Sequence, residues 1–502
     1  MAHPKMESFF ARMEALELAL AFEDVRLATA YSDIRLEAIE TNSFFSKNVP
    51  VKIPIISAAM DTVTDSRMAI ALAKLGGLGI IHRNLSPEQQ AKEVARVKNH
   101  LNARIQNPVM FHQDDSIRQV LQTREEKNFP FHTFPVLNAH DELVGVVTEN
   151  DFDLMADPEQ PLSSIMSAQP VTAPVTCTVD EAYQIMLTEK KKVLPLVDEN
   201  GKVKGLYVFQ DVKTIVKGER YRFNLDSNGQ LRVGGAVGTG EKELERVRAL
   251  VKENVDVVVI DTAHGHSKGV LTMVKAIKGE FPSTDVVAGN ISEPTGVDDL
   301  IKAGVDGIKI GQGPGSICTT RIVAGIGCPQ VTAIFNCAKA ARGSGVPICG
   351  DGGITYSGDI TVALAAGAHT VMVGSLLAGT AESPGDITYV DGKPVKRIRG
   401  MGSLSAMKES KASRERYRQS HDFKKLVPEG IEGVVPYRGN VEDLMVQHLG
   451  GLRAGMGYVG ASSIPELHEK AYFRRITHAG QKESHPHDIH LITEAPNYHR
   501  IR

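Results

Sequence analysis

A glycine-rich segment in the second half of the chain holds a cysteine in a setting that suits covalent chemistry. The segment GQGPGSICTTR spans 311–321 and directly follows a short apolar run. Glycines let the backbone turn tightly, so its carbonyl and N–H groups can approach a ligand closely. A thiol held in such a loop can act as a nucleophile, and Cys318 has Thr320 two residues on. A lone cysteine is more often a small buried apolar residue, but the glycine loop favours the nucleophile here.

Two further glycine-rich segments follow later apolar runs. They are DGGITYSGD at 351–359 and VGSLLAGTAESPG at 373–385. Glycine turns and helix N-termini after consecutive strands are common places for a phosphate to bind. We therefore expect Asp351 to bind ribose hydroxyls, and Gly374 and Ser375 to donate to a phosphate. Together the two segments favour a site for a nucleoside monophosphate.

Eight short apolar runs, separated by helix-like stretches, would have to position these loops. The runs are continuously apolar rather than alternating, as expected for parallel strands covered on both faces. Eight strand–helix units predict an α/β fold, a (β/α)8 TIM barrel, with an open doubly wound sheet as the alternative. In a barrel the three glycine segments would share the carboxyl ends of the strands, where barrel enzymes place their sites. The runs are 53–57, 77–82, 232–238, 255–261, 285–290, 306–311, 346–351 and 370–375.

The stretch between the second and third runs contains an internal repeat. FPVLNAHDELVGVVTEND at 134–151 aligns without gaps on LPLVDENGKVKGLYVFQD at 194–211, and NPV at 107–109 matches QPV at 169–171. Two units of about 60 residues should pack against each other, because neither buries a large core alone. We therefore expect an inserted tandem module at 105–218, with halves at about 105–160 and 165–218. The barrel would take 1–104 and 219–502.

The composition excludes several classes of function. Among 502 residues, 57 Lys and Arg stand against 60 Asp and Glu, for a net charge of −3. This balance gives no general attraction to nucleic acid or to a membrane surface, and no apolar run of about 18 residues predicts a membrane span. The N-terminus lacks the features of a secretion signal. Five cysteines without a CxxC pair predict neither a disulfide framework nor a thiolate zinc site, and they fit a reducing, cytoplasmic location.

Four motifs together resemble the inosine monophosphate dehydrogenase and GMP reductase superfamily. They are GPGSICTTR at 313–321, SAAMDTVT at 57–64, the DGGI–YSGD element at 351–359 and RGMGS at 399–403. The similarity runs from about residue 22 to the C-terminus and includes the insertion. It implies the barrel fold and a covalent bond between Cys318 and C2 of a purine.

The resemblance also assigns binding roles. It implies that Asp261, Asn290, Gly311 and Gly313 contact NAD⁺, and no GxGxxG follows a strand, so the cofactor is not held as in a Rossmann fold. Residues at positions that contact the nucleotide in the family are Ser57, Met60, Ser316, Asp351, Gly353, Gly374, Ser375, Gly400, Met401, Gly402 and Glu429.

The two branches of the superfamily differ in the chemistry of the purine that is covalently bound to the cysteine. The dehydrogenase uses water and a mobile flap that carries an Arg-Tyr pair, whereas the reductase expels ammonia and takes hydride from NADPH. The segment SRERYRQ supplies Arg416 and Tyr417, and Glu429 follows at the family's spacing. The resemblance thus implies oxidation of IMP to XMP with NAD⁺ and water, the committed step of guanine nucleotide synthesis. Its catalytic residues would be Cys318, Thr320, Arg416, Tyr417 and Glu429.

Three alternatives accompany this interpretation. The chain could be a GMP reductase, or a catalytically dead protein that senses nucleotides, or its 408–419 segment could be merely a charged stretch rather than a flap. A guanidinium is also an unusual general base because it normally stays protonated. Thr320 with Glu429 offers a second proton path, since a carboxylate is a more conventional base.

The inserted repeat resembles a tandem pair of CBS domains, a Bateman module, which binds adenine or guanine nucleotides in related proteins. Thr148-x-x-Asp151 keeps the element that holds the ribose there, whereas Val208-x-x-Asp211 lacks the hydroxyl. The resemblance therefore implies a purine nucleotide at the first half and leaves the second half in question. The alternative is a module that serves only in packing.

The C-terminal segments AGQKESHPHD at 479–488 and EAPNY at 494–498 resemble the tail of the dehydrogenase branch. They imply a K⁺ ion held between subunits of a homotetramer, which in some members of the family becomes an octamer. The implied ligands are backbone carbonyls of Glu483, Ser484 and His485, and of Gly313, Gly315 and Cys318 from the neighbouring subunit. A solvated polar tail is the alternative.

Two positions depart from the family pattern. Ile398 stands where the family usually has a tyrosine whose hydroxyl reaches the phosphate, and loss of such a bond to a charged group costs about 1.5–3 kcal/mol. We therefore expect weaker binding of IMP. Gln312 stands where an aliphatic residue is usual, which should alter the mouth of the cation-binding loop.

Overall fold

The computed structural model describes residues 3–101, 104–105, 108–126, 129, 131–153, 157–217, 220–420, 422–489 and 495–498. Residues 107 and 494, which belong to two of the motifs above, lie outside this part. The chain forms two compact units, one from Met1–His100 with Arg222–Arg502 and the other from Leu101–Tyr221. No helix in the described ranges is long and apolar enough to cross a membrane.

Eight parallel strands close into a barrel in the larger unit. The barrel closes where Val371 pairs with Ile55, so the predicted TIM barrel is confirmed and the open-sheet alternative is wrong. Each predicted apolar run overlaps one barrel strand. The strands are β1 (Ile55–Ser57), β2 (Leu78–Ile81), β3 (Val233–Val237), β4 (Val257–Asp261), β5 (Asp285–Ile291), β6 (Gly307–Ile310), β7 (Ile348–Asp351) and β8 (Thr370–Val373).

The strands are buried on both faces because most of their side chains are apolar. Some of these side chains fill the barrel interior, and the others pack under the surrounding helices. Ile56, Val259 and Met372 belong to one core cluster, which continues to Phe45. Phe45 lies in an antiparallel hairpin of Ser43–Ser46 and Val49–Val51 and is fully buried.

Helices follow the strands, and their ends carry the expected signals. Ser86 caps the second helix, with Pro87 in its first turn, and the fifth helix ends at Gly304 with a left-handed φ of +98°. The helices are α1 (Ser66–Lys74), α2 (Pro87–Asn99), α3 (Glu241–Lys252), α4 (Lys268–Glu280), α5 (Pro294–Ala303), α6 (Gln330–Ala341), α7 (Ser357–Ala365) and α8 (Val441–Val459).

The N-terminal residues, which matched no family pattern, form a further helix at Pro4–Ala15. Its buried Phe10 stacks on Phe335 of α6, with ring centroids 3.7 Å apart. The chain then pairs Val25–Leu27 with Phe473–Arg475 in a two-stranded sheet. This lead segment therefore packs on the outside of the barrel.

A small antiparallel sheet stands between β8 and α8. Its strands are Thr388–Val390, Lys393–Arg399 and Glu432–Pro436. The excursion between its second and third strands carries RGMGS and two short helices, Leu404–Glu409 and Lys411–Arg416. Because Arg399 pairs with Glu432, the two ends of this excursion lie side by side.

The smaller unit contains two four-stranded sheets of matching design. Each repeat contributes three strands to its own sheet, namely an antiparallel hairpin and one strand that runs parallel to the hairpin's first strand. The fourth strand of each sheet comes from the segment at the beginning of the other repeat. Arg104–Ile105 pairs with Val203–Val208, and Ser167–Ala168 pairs with Leu143–Val147. This exchange gives a physical reason for the two repeats to fold together. The other strands are Phe111–His112, Phe134–Leu137, Ala173–Pro174 and Val193–Val197, and the helices are Ile117–Glu126, Glu149–Asp153, Val179–Thr188 and Phe209–Lys217.

Candidate active site

Two adjoining cavities open at the carboxyl ends of the barrel strands. The first, here the cysteine cavity, measures about 130 Å³ and is lined by Cys318, Thr320, Asn290 and the flap residues. The second, here the glycine cavity, measures about 180 Å³ and lies between the loops after β6, β7 and β8. Met60 and Asp351 line both cavities, so the two form neighbouring parts of one cleft.

Cys318 sits in a loop that is held from two sides. Its thiol donates to Thr320 Oγ1 at 3.2 Å and lies 3.7 Å from the backbone oxygen of Glu429. Thr319 N donates to the same Glu429 oxygen at 3.0 Å, and Ile431 N donates to Ile317 O at 2.9 Å. The cysteine loop is therefore bound along its length to the segment that closes the excursion.

The other four cysteines are poor candidates for a nucleophile. All five are free thiols, and Cys177, Cys337 and Cys349 are buried. Burial raises the pKa of Cys349 to about 12 and that of Cys328 to about 11. These thiols stay protonated at neutral pH, and a thiol is a much weaker nucleophile than a thiolate. Among the five, only Cys318 lines the cysteine cavity.

The predicted flap residues lie in the cysteine cavity. Arg416 forms an ion pair with Asp261, and its backbone oxygen accepts from Ala263 N at 3.3 Å. Burial raises the pKa of Tyr417, and the charges on Cys318 and Glu429 act in the same direction against that of Arg416. Both flap side chains thus lie in the cavity that Cys318 lines.

Gly402 of RGMGS supports the position of Tyr417. A Cβ atom on Gly402 would lie 2.7 Å from Tyr417 Cζ, closer than real Cβ contacts allow. The tyrosine ring therefore rests directly on this backbone, which explains the glycine without reference to a ligand. Gly402 itself does not line either cavity, whereas Gly400 and Met401 line the cysteine cavity.

Lys309 was not predicted from the sequence, yet it joins several predicted residues. Its ammonium is 1% exposed and donates to Asp261 Oδ1 at 2.9 Å and to Asp351 Oδ2 at 2.6 Å. It also donates to Asn290 Oδ1, whose amide nitrogen donates to Asp351 Oδ2 at 2.8 Å. The ends of β4, β5 and β7 are thereby fixed around one buried cation on β6. The sequence signal was a lysine inside an apolar run, which in a strand covered on both faces requires partners.

Most of the residues that were predicted to contact the nucleotide line the glycine cavity. Ser316, Gly353, Gly374 and Ser375 line it. Ile398 lines it too, is 2% exposed and presents only an apolar wall. Ser57 lies apart from the lining: it is fully buried and its hydroxyl accepts from Thr64 at 2.8 Å.

The remaining cofactor positions lie around the cysteine cavity. Asn290, Gly311 and Gly313 line it, whereas Asp261 is almost fully buried behind Arg416. Gly311 has φ of +140°, and a Cβ there would lie 2.2 Å from Asp351 O, so only glycine fits. The side chain of Gln312 accepts from the Ser292 hydroxyl at 2.7 Å and donates to Ala263 O at 3.1 Å. It therefore links the loops that follow β4 and β5.

The six predicted cation ligands are not gathered within one chain. Ser484 and His485 line a separate cavity of about 610 Å³ with Tyr356, and Glu483 ends the short helix His478–Glu483. Gly313, Gly315 and Cys318 are in the cysteine loop. Across the described ranges, no group of three or more His, Cys, Asp or Glu side chains could hold a metal ion.

The smaller unit has a cavity of its own, of about 470 Å³, lined by Thr148, His132 and Lys190 to Lys192. Thr148 donates to Asp151 Oδ2 through its backbone N at 2.7 Å and its hydroxyl at 2.8 Å. At the equivalent place of the second repeat, Val208 has no hydroxyl to donate, and burial raises the pKa of Asp211. The two halves thus differ at the predicted ribose element.

Comparisons with known proteins agree on one family. The IMP dehydrogenase / GMP reductase domain model matches residues 19–487. The inosine-5'-monophosphate dehydrogenase of Aquifex aeolicus is 50% identical over 483 residues, covering 95% of this chain and 97% of that protein. The Bacillus subtilis protein of the same name is 46% identical over 482 residues, covering 95% and 97%. A crystal structure of Trypanosoma brucei GMP reductase, a cysteine-to-alanine variant in complex with guanosine 5'-monophosphate, has a TM-score of 0.86 at 38% identity and covers 95% of this chain and 100% of that chain.

Proposed function

This chain belongs to the IMP dehydrogenase / GMP reductase family, and we propose that it acts as a dehydrogenase, oxidising IMP to XMP with NAD⁺ and water. The observation that carries the proposal is that Arg416 and Tyr417 line the same cavity as Cys318. A reductase needs no water at this point, so a docked Arg-Tyr pair beside the nucleophile favours the hydrolytic branch. Relatives named inosine-5'-monophosphate dehydrogenase support the same choice.

In the first half-reaction the Cys318 sulfur would add to C2 of IMP. Thr320 Oγ1, 3.2 Å from the sulfur, accepts the hydrogen bond of the thiol and would relay its proton to the Glu429 carboxylate, a residue that lines the same cavity. The nucleotide would lie with its phosphate at Gly374 and Ser375 and its ribose at Asp351, which places the purine toward Cys318. NAD⁺, when bound, accepts the hydride that leaves C2. The purine then remains attached to sulfur.

In the second half-reaction water would add to C2, the C–S bond would break, and XMP would leave. The sum consumes IMP, NAD⁺ and water and yields XMP, NADH and one proton. Arg416 and Tyr417 line the cavity where this water must react, and they would restrict the entry of further solvent. Because Arg416 is ion-paired with Asp261 in this arrangement, we propose that it orients the water and that Thr320 provides the proton path.

We propose NAD⁺ at the side of the cysteine cavity formed by Asn290, Gly311 and Gly313, with Asp261 behind it. We propose K⁺ at the cysteine loop, held by carbonyls of Gly313, Gly315 and Cys318 together with those of the tail of another subunit in a homotetramer. Neutral backbone oxygens suit a large, weakly hydrated monovalent ion. The unpaired cysteines fit the reducing compartment that the sequence predicts.

We propose that the smaller unit is a tandem CBS module that binds one purine nucleotide per chain. The Thr148–Asp151 hydrogen bonds and the lysines at 190–192 support a ribose and phosphate site at the first repeat. Calorimetric titration of the full chain with ATP and with GTP should give one nucleotide bound, and Thr148→Val should abolish it. Two equivalent sites, or undiminished binding in the variant, would reject this proposal.

The redox direction has a direct test. IMP with NAD⁺ should raise the absorbance of NADH, and K⁺ should increase the rate. GMP with NADPH should give no change. The structural similarity to a GMP reductase makes the reverse result the specific alternative, and oxidation of NADPH in the presence of GMP would establish it.

A further inference from the structure

The N-terminal segment, residues 4–22, runs along α6, the helix that follows the cysteine loop. At one end of α6, Glu7 forms an ion pair with Arg342, and the Phe10 ring stacks on Phe335. At the other end, the segment bonds to Thr332 in the first turn of the helix. The contacts therefore extend over the whole length of α6.

Leu20 closes the N-terminus of α6. Its backbone oxygen accepts from the N–H groups of Val331 and Thr332 at 3.1 and 3.3 Å, and its own N–H donates to Thr332 Oγ1 at 2.8 Å. The first N–H groups of a helix have no partner within the helix, so they need one from outside. Leu20 is 3% exposed and supplies that partner in a place that water reaches poorly. The N-terminal segment therefore fixes the first turn of α6.

The first residue of α6 joins the two strands that carry the cysteine loop and the Gly353 turn. Gln330 is 2% exposed, and its side-chain nitrogen donates to Ile310 O at 2.9 Å and to Asp351 O at 3.0 Å. Ile310 ends β6 just before the cysteine loop, and Asp351 ends β7 just before the turn. A shift of the first turn of α6 would therefore displace the start of both.

Phe22, two residues after Leu20, contacts the Gly353 turn directly. A Cβ atom on Gly353 would lie 3.2 Å from Phe22 Cε2 and 3.4 Å from Cβ of Pro314, which belongs to the cysteine loop. Gly353 lines the glycine cavity, whereas the buried Phe22 ring does not. The ring therefore supports a wall of this cavity without facing the nucleotide.

We propose that residues 4–22 brace the cysteine loop and the Gly353 turn, with Leu20 and Phe22 as positioning residues for the nucleotide. Neither residue lines the cysteine cavity or the glycine cavity, so both act on the nucleotide through the two loops. The apparent affinity for a ligand falls in proportion to the fraction of molecules in the binding-competent arrangement. The brace keeps that fraction high before the nucleotide arrives.

The inference rests on the proposed function, and equilibrium binding of IMP without NAD⁺ tests it apart from turnover. Calorimetry on the full chain compares Thr332→Val, Thr332→Ser and Phe22→Ala with the parent. Thr332→Val removes the oxygen that accepts from Leu20 N and keeps the shape of the side chain, whereas Thr332→Ser retains the oxygen. Cys337→Ala is the control, because Cys337 is fully buried in α6 and makes none of the brace contacts described above.

Thr332→Val should raise the dissociation constant for IMP by about 2- to 10-fold, the range that corresponds to one lost hydrogen bond. Phe22→Ala should raise it at least as much, whereas Thr332→Ser and Cys337→Ala should bind IMP as the parent does. In the two weakened variants, hydrogen exchange should become faster in peptides that cover 311–321 and 351–356 and stay unchanged in α3. A general loss of stability would instead speed exchange throughout the barrel.

Parent-like binding of IMP by both Thr332→Val and Phe22→Ala would overturn the inference, and Thr332→Val alone decides if Phe22→Ala does not fold. Equal weakening in Cys337→Ala, or faster exchange throughout the barrel, would also overturn it, because the effect would then be one of stability alone. Failure of the parent to bind IMP would instead count against the proposed function.

Discussion

Replacement of Gly402 by alanine should separate the two half-reactions, because this glycine touches the flap and lines neither cavity. The added Cβ would lie 2.7 Å from Tyr417 Cζ and 2.9 Å from both Cε atoms. The ring cannot remain in place, so the docked flap must shift away from the cysteine cavity. Overpacking of this kind costs about 1–3 kcal/mol, which corresponds to about a 5- to 150-fold smaller population of docked flap.

Rapid-quench and stopped-flow kinetics distinguish the expected effect from a general loss of activity. The first turnover of NADH formation should keep its rate, whereas steady-state production of XMP should fall within the range above. Gly433→Ala is the matched control, since nothing lies within 4 Å of a Cβ built there. Unchanged steady-state turnover in Gly402→Ala, or an equal loss in both phases with intact IMP binding, would refute the role assigned to Tyr417.

Three further changes have defined outcomes. Arg416→Ala should slow hydrolysis far more than hydride transfer, so labelled purine should accumulate on the enzyme after the NADH burst; unchanged hydrolysis would reject the role. Ile398→Tyr should lower the KM for IMP, since one hydrogen bond to a charged group contributes about 1.5–3 kcal/mol, and a KM that rises would show that the ring does not fit the glycine cavity. Burial lowers the pKa of His369 to about 4, and the pKa of His468 moves in the same direction. Between pH 6.5 and 4 the unfolded chain therefore binds more protons than the folded chain, and the free energy of unfolding should fall as the pH drops through this window. Denaturant titrations at several pH values should show a weaker pH dependence of this free energy in His369→Asn. The same pH dependence in the variant and the parent would contradict the prediction.

The barrel was predictable because its signal is local and repeated. Each strand is a short apolar run, and burial on both faces of a parallel sheet demands that pattern. The cysteine loop was predictable for a similar reason, since glycines mark the points where backbone must pass close to other groups. Gly311 illustrates this, because a side chain there would collide with the Asp351 carbonyl.

Other features depend on contacts that a sequence does not display. In the sequence, Lys309 is a single polar residue within the apolar run that forms β6. Its role becomes visible only in the fold, where β4, β5 and β7 place Asp261, Asn290 and Asp351 around its ammonium group. The exchanged strands of the smaller unit are two residues long, too short to show any periodicity. The proposed contact of the C-terminal tail with a neighbouring subunit would depend on a partner surface, which the sequence of one chain does not display.

The proposed reaction requires a covalent bond between the Cys318 sulfur and the purine of IMP. Acid quenching during turnover with IMP and NAD⁺, followed by digestion and mass spectrometry, tests it most directly. We expect a nucleotide adduct on the peptide that contains Cys318, and we expect it to be absent when NAD⁺ is omitted. A turnover-competent enzyme with no adduct on that peptide, and with activity retained after Cys318→Ala, would contradict it.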